Sequence, residues 1–301
     1  MLLQGPENWP DGWCDINEMK MEQWCLGFIH GEEAAQLLYD KLQGSQPVNL
    51  HPWGDSEVAL LGEESLSKTP GVNPEALQKL TAAGGWTIED RNYFRADMGK
   101  AICDTDILIV NMLWQVYVSV TMVAFQQYGI SWDSNRFTHS TGEKKKVDLA
   151  ACYRLAEYGL FWKALRDRKV LIISGLAPIV VERLRDKEWL KAQGCTWDFE
   201  VIGGIQCPST FESKIPHWQQ MKRLMAEYEW DIALSSCGAT SIAVGNFAVE
   251  LGRKSIDIGG VDMVISGKPR ECVKGITPIP HSRTDFSNRG LKVNYSNLWI
   301  E

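Results

Sequence analysis

The chain has 301 residues, of which 31 are Lys or Arg and 38 are Asp or Glu, so its formal net charge is −7. With 45% apolar and 23% charged residues, the composition is that of a globular protein and excludes a disordered chain. The acidic balance lacks a basic footprint for nucleic acid, so no nucleic-acid partner is expected. Tryptophan is unusually frequent, with 13 residues against 9 Phe and 8 Tyr, which predicts either large core residues or flat stacking surfaces.

The first 47 residues are predicted to be an N-terminal extension with a Trp-rich polar start and a helix over residues 19–42. From Val48 onward, short apolar runs alternate with longer segments of helical periodicity. The predicted strands cover residues 48–51, 107–110, 170–174, 199–202, 232–235 and 255–258. One predicted helix begins at Asn73-Pro74-Glu75, and others cover residues 147–166, 214–228 and 240–251.

Alternation of apolar strands with helices is typical of βα units on a parallel sheet. Residues 48–301 are therefore predicted to form one Rossmann-like α/β domain, a single doubly wound parallel sheet, preceded by the helical extension of residues 1–47. In such sheets ligands bind beyond the carboxyl ends of the strands, where the strand order reverses. The loops that follow the predicted strands are therefore the places where site residues are expected.

One segment, residues 107–125, has no charged residue over 19 positions, which is close to the length of a membrane span. It contains Asn111 and Gln115, and no cluster of Lys or Arg flanks it. We interpret it as a buried strand, Ile107–Val110, that leads into a buried helix. No membrane-spanning segment is expected.

Eight cysteines are spread along the chain without a C-x-x-C pair. This spacing excludes zinc ribbons, thioredoxin-like motifs and haem attachment. Several cysteines lie in apolar runs, where a free cysteine behaves as a small buried hydrophobic residue. The start of the chain also lacks the charged and apolar regions of a secretory signal. We therefore expect a reduced, cytoplasmic protein.

The first candidate site is the loop after the first predicted strand, where Gly54 is followed by Asp55 and Glu57. Two carboxylates two positions apart at a strand-to-helix turn can converge on one divalent cation, with phosphate oxygens completing its shell. The alternative is that both carboxylates only cap a helix N-terminus. Trp53 is the aromatic residue best placed to stack on a base or a sugar, and His51 either orients a phosphate or simply ends the strand.

The second candidate site follows the apolar run 232–235, where the small residues Gly238, Ala239 and Thr240 open a helix. Backbone N–H groups at such a helix start form an anion site that suits a phosphate or a diphosphate. The segment has neither a Walker ending nor a G-x-G-x-x-G pattern. The alternative is that the small residues only allow close packing of the helix on the sheet.

A third stretch places Asp257, Gly259 and Asp262 at the carboxyl end of the last predicted strand. Either aspartate is a candidate general base or acceptor for a sugar hydroxyl, and structural capping is the alternative. The three lysines 144–146 are interpreted as a solvated loop, with contact to an anionic acceptor or donor as the alternative.

The succession of these motifs resembles the GT-D class of glycosyltransferases, whose members carry an R-F/Y-G-D-G-E signature after the first strand. Gly54-Asp55-Ser56-Glu57 is similar to that signature, with Ser in place of the second glycine. The helix with Trp162 before the strand 170–174, the stretch 205–211 and the segment 234–260, which ends in Asp-Ile-Gly-Gly, are similar to family segments in order and spacing. The sequence departs from the family in lacking the signature arginine and in its central loop, residues 174–178.

The resemblance implies a hexosyltransferase-type enzyme that uses a nucleoside-diphosphate sugar as donor and a glycan or a small molecule as acceptor. It implies that Asp55 and Glu57 bind Mn²⁺ or Mg²⁺, and that Asp257 is catalytic together with this pair. The donor would lie near Trp53 and Gly54 and near Gly238, Ala239, Thr240 and Gly259. Residues 1–47 would cover either the acceptor site or the interface of a homodimer.

Two other functions remain open. The departures from the family are consistent with a catalytically lapsed relative that serves as a binding or partner subunit. The small residues 236–240 also suit a metal-independent enzyme acting on a sugar phosphate, such as an isomerase.

Overall fold

The structure, a computed structural model, describes residues 26–68, 75, 77–78, 87–110, 115–132, 136–207, 215–267, 274–277 and 299–300. Its strands are β1 Phe28–Ile29, β2 Val48–Leu50, β3 Pro52–Trp53, β4 Ile107–Val110, β5 Ser131–Trp132, β6 Phe137–His139, β7 Gly142–Asp148, β8 Lys169–Ser174, β9 Glu200–Gln206, β10 Ile232–Ser236, β11 Lys254–Asp257 and β12 Trp299–Ile300. Its helices are α1 Gly31–Gln43, α2 Asp55–Leu66, α3 Ile88–Asp104, α4 Gln115–Gln126, α5 Ala151–Glu157, α6 Leu160–Leu165, α7 Ala177–Arg185, α8 Lys187–Ala192, α9 Ile215–Glu227, α10 Thr240–Glu250 and α11 Val261–Ile265.

These elements form two compact units. Unit 1 is built from the described residues within Met1–His30, His51–Ala151 and Thr210–Ile215. Unit 2 is built from those within Gly31–Leu50, Cys152–Ser209 and Pro216–Glu301. The predicted division of the chain at residue 47 stays a prediction, because residues 1–25 lie outside the described part.

The sheet of unit 1 has the strand order β3-β4-β7-β6-β5, and β1 also pairs with β7. The pairs β3–β4, β4–β7 and β1–β7 are parallel, whereas β5, β6 and β7 form an antiparallel meander. Helix α2 packs against α4, and Val58, Leu61, Val120 and Phe125 on these helices are buried. A capping box starts α3, because Thr87 Oγ1 accepts the Asp90 N–H and the Asp90 carboxylate accepts the Thr87 N–H.

The sheet of unit 2 has the order β12-β9-β8-β10-β11-β2 and is parallel except for β12. The central strand β8 is buried at Val170, Leu171, Ile172 and Ile173, as expected for a strand covered on both faces. Strand β9 flanks β8 on one side and β10 flanks it on the other, so the strand order reverses at β8. The carboxyl ends of β8 and β10 therefore form the switch point of this sheet.

The prediction of a single doubly wound sheet is wrong, because two six-stranded sheets are present. The predicted first strand ends at Leu50, where β2 pairs with β11, and the chain continues as β3, which pairs with β4 instead. Pro52 stands at this change, and proline cannot donate a main-chain hydrogen bond to continue the first ladder. The mixed α/β class is confirmed, and a sheet that is parallel except for one strand is found in unit 2.

The predicted solvated loop at lysines 144–146 is also wrong, because these residues lie in β7 with the first and third side chains buried. Lys144 Nζ donates to the carbonyls of Cys103 and Thr105, 2.7 and 2.6 Å away, at the end of α3. Lys146 Nζ donates to the Leu26 carbonyl at 2.9 Å. Burial lowers the pKa of Lys144. Both ammonium groups thus bind carbonyls, and Lys144 stabilises the negative end of a helix.

Other predicted elements need smaller corrections. The predicted helix 147–166 is divided into α5 and α6, which are separated at Gly159, and β7 extends to Asp148. The helix predicted over residues 19–42 begins at Gly31, because β1 precedes it, and residues 1–25 lie outside the described part. The start predicted at Asn73-Pro74 also lies outside it.

The strand Ile107–Val110 and the helix after it are confirmed, and among the described residues no helix is long and apolar enough to span a membrane.

Candidate functional site

In unit 1, the loop between β3 and α2 carries the predicted pair of acidic residues. Helix α2 begins at Asp55, and Gly54 is its N-cap residue with an extended backbone. Glu57 therefore occupies the third helical position, where a carboxylate is favoured by the helix dipole. The predicted strand-to-helix turn is confirmed, whereas the side chain of Asp55 lies outside the described part.

Gly54 and the Glu57 carboxylate approach each other closely. A Cβ atom at position 54 would lie 2.6 Å from Glu57 Oε2, which is nearer than an ordinary van der Waals contact allows. The same oxygen accepts a hydrogen bond from Ser56 Oγ at 3.1 Å, and Glu57 is 8% exposed. The glycine thus leaves room for the carboxylate to fold back over the start of the helix.

Trp53 and His51 lie in the core of unit 1. Trp53 is 3% exposed, and its ring makes edge contacts with the rings of His51 and Phe125 at centroid distances of 5.8 and 6.0 Å. Stacking on a base or a sugar would require this ring to be uncovered. The assignments of Trp53 to ligand binding and of His51 to phosphate orientation stay predictions.

Of the two carboxylates that the sequence predicts as metal ligands, Glu57 is the one whose side chain the structure describes. Within the described ranges, no group of three or more His, Cys, Asp and Glu is arranged to hold a metal ion. Mg²⁺ is usually held by one or two carboxylates together with substrate phosphates and water, not by a closed protein cage. Glu57 fits that mode of binding, and Asp55 two positions earlier would supply the second carboxylate.

In unit 2, the segment that follows β10 offers unused hydrogen-bond donors at the switch point. The N–H groups of Gly238, Ala239 and Thr240 donate to no acceptor in the part of the chain that the structure describes. They precede or open α10, which has 11 residues. The first N–H groups of a helix have no acceptor within it and lie at its positive end, so groups of this kind can bind an anion.

Two further groups define this segment, which we call the α10 loop (residues 237–240). Thr240 is 3% exposed, and its Oγ1 has no hydrogen-bond partner among the described residues. The Cys237 N–H donates to Ser241 Oγ at 3.1 Å, which fixes the start of the loop. The pKa of Cys237 is raised mainly by a hydrogen bond with the Cys207 thiol and, to a smaller extent, by burial. The thiol is therefore neutral at pH 7 and adds no negative charge to the α10 loop.

The turn that follows β11 is held from both sides. Gly259 has a φ of +47°, a conformation that favours glycine. Its N–H donates to Asp257 Oδ1 at 2.8 Å, and its carbonyl accepts from Ser236 Oγ at 2.8 Å. A Cβ atom there would lie 2.9 Å from Tyr153 Oη. Asp257 thus orients the turn, and its predicted role as a catalytic base stays a prediction.

Asp262 follows the same turn, at the second position of α11, and is 4% exposed. Its Oδ2 accepts a hydrogen bond from Ser174 Oγ at 2.5 Å, and Ser174 Oγ accepts the Leu176 N–H at 2.9 Å. Burial raises the pKa of Asp262, and the charge of Asp257 acts in the same direction. Hydrogen bonds from Ser174, Ser236 and the Met263 N–H act against this rise.

The structure therefore brings together one part of the predicted site. Gly238, Ala239, Thr240, Asp257 and Gly259 lie at the carboxyl edge of adjacent strands in unit 2, whereas Gly54, Asp55 and Glu57 lie in unit 1. The roles of Ser174 and Tyr153 were not predicted. Ser174 is visible in the sequence only as the polar end of an apolar strand, and Tyr153 carries no sequence signal.

The fold and this site define a class: an α/β protein with unused backbone N–H donors at the switch point of a mostly parallel sheet. A family model described as a GT-D fold-like domain matches residues 29–265, and the chain belongs to this GT-D-like, glycosyltransferase-like family. The resemblance inferred from the motifs is thus confirmed.

A solved structure named "Selenomethionine substituted structure of domain of unknown function 1792 (DUF1792)" is similar to this chain. The alignment covers 82% of this chain and 83% of that one, with 13% identity and a TM-score of 0.45. No curated protein sequence matches the chain.

Proposed function

We propose that this chain transfers a sugar from a nucleoside-diphosphate sugar to an acceptor hydroxyl. The observation that carries the proposal is the α10 loop, where Gly238, Ala239 and Thr240 present N–H groups that no described residue uses. Phosphate oxygens accept hydrogen bonds and carry negative charge, so a diphosphate matches these donors and the positive end of α10. Membership of the GT-D-like family supports the sugar-transfer chemistry.

The residues of unit 2 have distinct roles in this proposal. The N–H groups of the α10 loop and the Thr240 hydroxyl bind the diphosphate and stabilise the charge that grows on it as it leaves. Asp257 accepts the proton of the acceptor hydroxyl, which belongs to a glycan or a small molecule. Gly259, whose N–H is bound by Asp257, keeps the backbone of the turn close to the donor.

Mn²⁺ or Mg²⁺ is the proposed cofactor, and Asp55 and Glu57 are its proposed ligands. Such a cation, when bound, neutralises negative charge on phosphate oxygens as a Lewis acid. Glu57 supplies a carboxylate that is already withdrawn from bulk water, and Gly54 leaves the space that it occupies. Trp53 and Gly54 stay proposed donor-binding residues. A cytoplasmic location and a homodimer also stay proposals.

Calorimetry with a panel of nucleoside diphosphates, with and without Mn²⁺, tests the binding step. Thr240→Val keeps the shape of the side chain and removes its hydroxyl, so the affinity should fall about 10- to 100-fold, as for loss of a hydrogen bond to a charged group. Ser255→Ala is the matched control, because Ser255 is another buried hydroxyl with no partner among the described residues. Absence of binding by the parent, or an equal loss in both variants, would contradict the proposal.

A turnover assay separates the three functions. Release of nucleoside diphosphate from a nucleoside-diphosphate sugar, abolished by EDTA and by Asp55→Ala/Glu57→Ala, is the result expected for a transferase. Donor binding without turnover would instead indicate a lapsed subunit. Turnover of a sugar phosphate that is insensitive to EDTA would indicate the metal-independent enzyme.

A further inference from the structure

Gln206, the last residue of β9, carries a buried side chain at the start of α7. A Cβ atom at Gly204 would lie 3.1 Å from Ala177 Cβ, so this face of β9 is the one that α7 covers. Residues two apart on a strand share a face, so the Gln206 side chain lies on the α7 face as well. Gln206 is 8% exposed, and its Nε2 donates to the Gly175 carbonyl at 3.3 Å. This bond fixes the amide at the β8–α7 loop (residues 175–176).

The amide oxygen of Gln206 is available to a ligand. No described residue donates to Gln206 Oε1, which stays accessible to solvent. Beside it, the N–H groups of Gly175 and Ala177 donate to no acceptor in the described part of the chain. The Leu176 N–H between them is bound by Ser174 Oγ at 2.9 Å. The β8–α7 loop and the first residue of α7 thus present two donors next to one acceptor.

The β8–α7 loop lies next to the α10 loop. Ser174, the last residue of β8, pairs with Gln206 on one side and with Ser236 on the other. Neighbouring strands are about 4.8 Å apart, so the loops that follow them leave the sheet side by side. The chain moves from β8 to β9 and from β10 to β11 in opposite directions, and right-handed crossovers then place α7 and α10 on opposite faces. The two loops therefore flank one crevice, where ligands of such sheets bind.

The two loops offer different hydrogen-bonding groups. The α10 loop presents N–H donors and the Thr240 hydroxyl, which suit the oxygens of a phosphate. The β8–α7 loop adds Gln206 Oε1, and an acceptor without a hydrogen forms no hydrogen bond with a phosphate oxygen. A hydroxyl group gives its hydrogen to Gln206 Oε1 and accepts from a neighbouring N–H at the same time. The β8–α7 loop therefore matches a sugar hydroxyl better than a phosphate.

We propose that Gln206 determines specificity by binding a sugar hydroxyl of the donor, next to the diphosphate at the α10 loop. This inference rests on the proposed function and gives the donor a direction in the crevice, with its phosphates towards β10 and the hydroxyl towards β9. The hydroxyl belongs either to the ribose of the nucleotide or to the sugar that is transferred. A Gln206 side chain that only held the Gly175 carbonyl would affect all diphosphates alike.

Calorimetry with Gln206→Met separates hydroxyl recognition from phosphate binding, because Met has a similar length and lacks both polar atoms of the amide. Its affinity for inorganic pyrophosphate should equal that of the parent. Its affinity for the ligand that carries the hydroxyl should fall about 2- to 10-fold, as for loss of one neutral hydrogen bond. Thr240→Val should weaken both ligands. Gln193→Met is the matched control, because Gln193 precedes β9 in the same unit and its Oε1 accepts the Thr277 N–H at 2.7 Å. It should change neither affinity.

Three ligands identify the hydroxyl: the nucleoside diphosphate that binds best in the panel, its 2′,3′-dideoxy analogue and its hexose ester. If the ribose is bound, the parent should prefer the nucleoside diphosphate to the dideoxy analogue, and Gln206→Met should lose that preference. If the transferred sugar is bound, Gln206→Met should lose affinity for the hexose ester alone. Either result supports the inference.

Nuclear magnetic resonance of the parent chain tests the same contact without a variant. The side-chain amide signals of Gln206 should move with the nucleoside diphosphate or its hexose ester and stay near their free positions with pyrophosphate. Signals that no ligand moves, or a folded Gln206→Met that loses pyrophosphate as much as nucleotide, would overturn the inference and leave the proposed function intact. If neither pyrophosphate nor any nucleoside diphosphate binds the parent, the proposed function fails and the inference fails with it.

Discussion

The two candidate regions hold their carboxylates in different ways. In unit 1, Glu57 has its carboxylate at the end of a flexible side chain, and its contacts with Ser56 and Gly54 are local. In unit 2, Asp262 has a short side chain that is bound by Ser174, 88 residues earlier in the chain. The first arrangement leaves the Glu57 carboxylate able to move, as the proposed binding of a cation requires, whereas the second holds the Asp262 carboxyl in place.

The largest loss of stability is expected from a substitution in the turn after β11 of unit 2. Gly259→Ala places a residue with a side chain at φ +47° and forces its Cβ against Tyr153 Oη, so the free energy of unfolding should fall by about 3 kcal/mol. Gly238→Ala is the control, because Gly238 also has a positive φ, +57°, but open space around a Cβ. It should cost about 1 kcal/mol. Equal losses in denaturant unfolding would show that the Tyr153 contact contributes nothing.

A second comparison removes one serine hydroxyl from each region. Ser174→Ala deprives a buried carboxyl and the Leu176 N–H of a partner, and we expect a loss of about 2 kcal/mol in unfolding free energy. Ser56→Ala removes the corresponding hydrogen bond to Glu57 at a helix start and should cost less than about 0.5 kcal/mol. If the two variants lose the same stability, the contrast between the regions is wrong.

The pH dependence of stability tests Asp262 itself. Because burial raises its pKa, the folded chain binds this proton more tightly than the unfolded chain does. The stabilisation is fully present below the unfolded pKa of about 3.9 and is lost as pH rises through the raised folded value. The unfolding free energy of the parent minus that of Asp262→Asn should therefore fall over this window and be constant above it. A difference that does not vary with pH would contradict a raised pKa of Asp262 in the folded chain.

The smallest effect on stability is expected at the start of α2 in unit 1. In Gly54→Ala the new Cβ meets only the far end of the Glu57 side chain, which can move away, so the unfolding free energy should change by less than about 1 kcal/mol. Displacing that carboxylate should nevertheless weaken the Mn²⁺ dependence of nucleotide binding in calorimetry about tenfold. A stable variant with unchanged metal dependence would remove Glu57 from the proposed metal site.

Local patterns in the sequence predict much of unit 2. Strand β8 is a continuous apolar run, and α10 begins at Thr240 as predicted, after a run of small residues. Gly259 could be singled out because a glycine just beyond a strand favours a turn with a positive φ, although in the structure Ile258 separates it from β11. Such features depend on neighbouring residues, which is why they can be read without a structure.

What the sequence could not predict depends on contacts between distant residues. Strand β7 could not be predicted because Lys144 and Lys146 occupy its buried positions, and their carbonyl partners lie at least 39 residues earlier in the chain. The second sheet could not be predicted because β2 and β3, which belong to different sheets, are separated by a single residue, His51, and look like one strand in the sequence. The bond between Ser174 and Asp262 joins β8 to α11, and neither residue signals the other.

The most direct test of the account is the response of the α10 loop to a nucleoside diphosphate. In ¹⁵N spectra of the full chain titrated with nucleoside diphosphate and Mg²⁺, the amides of Gly238, Ala239 and Thr240 should show the largest shifts. These shifts should saturate at the affinity that calorimetry measures, and Thr240→Val should require a correspondingly higher concentration. Binding that leaves these three amides unmoved, or no binding by any nucleoside diphosphate, would contradict the account.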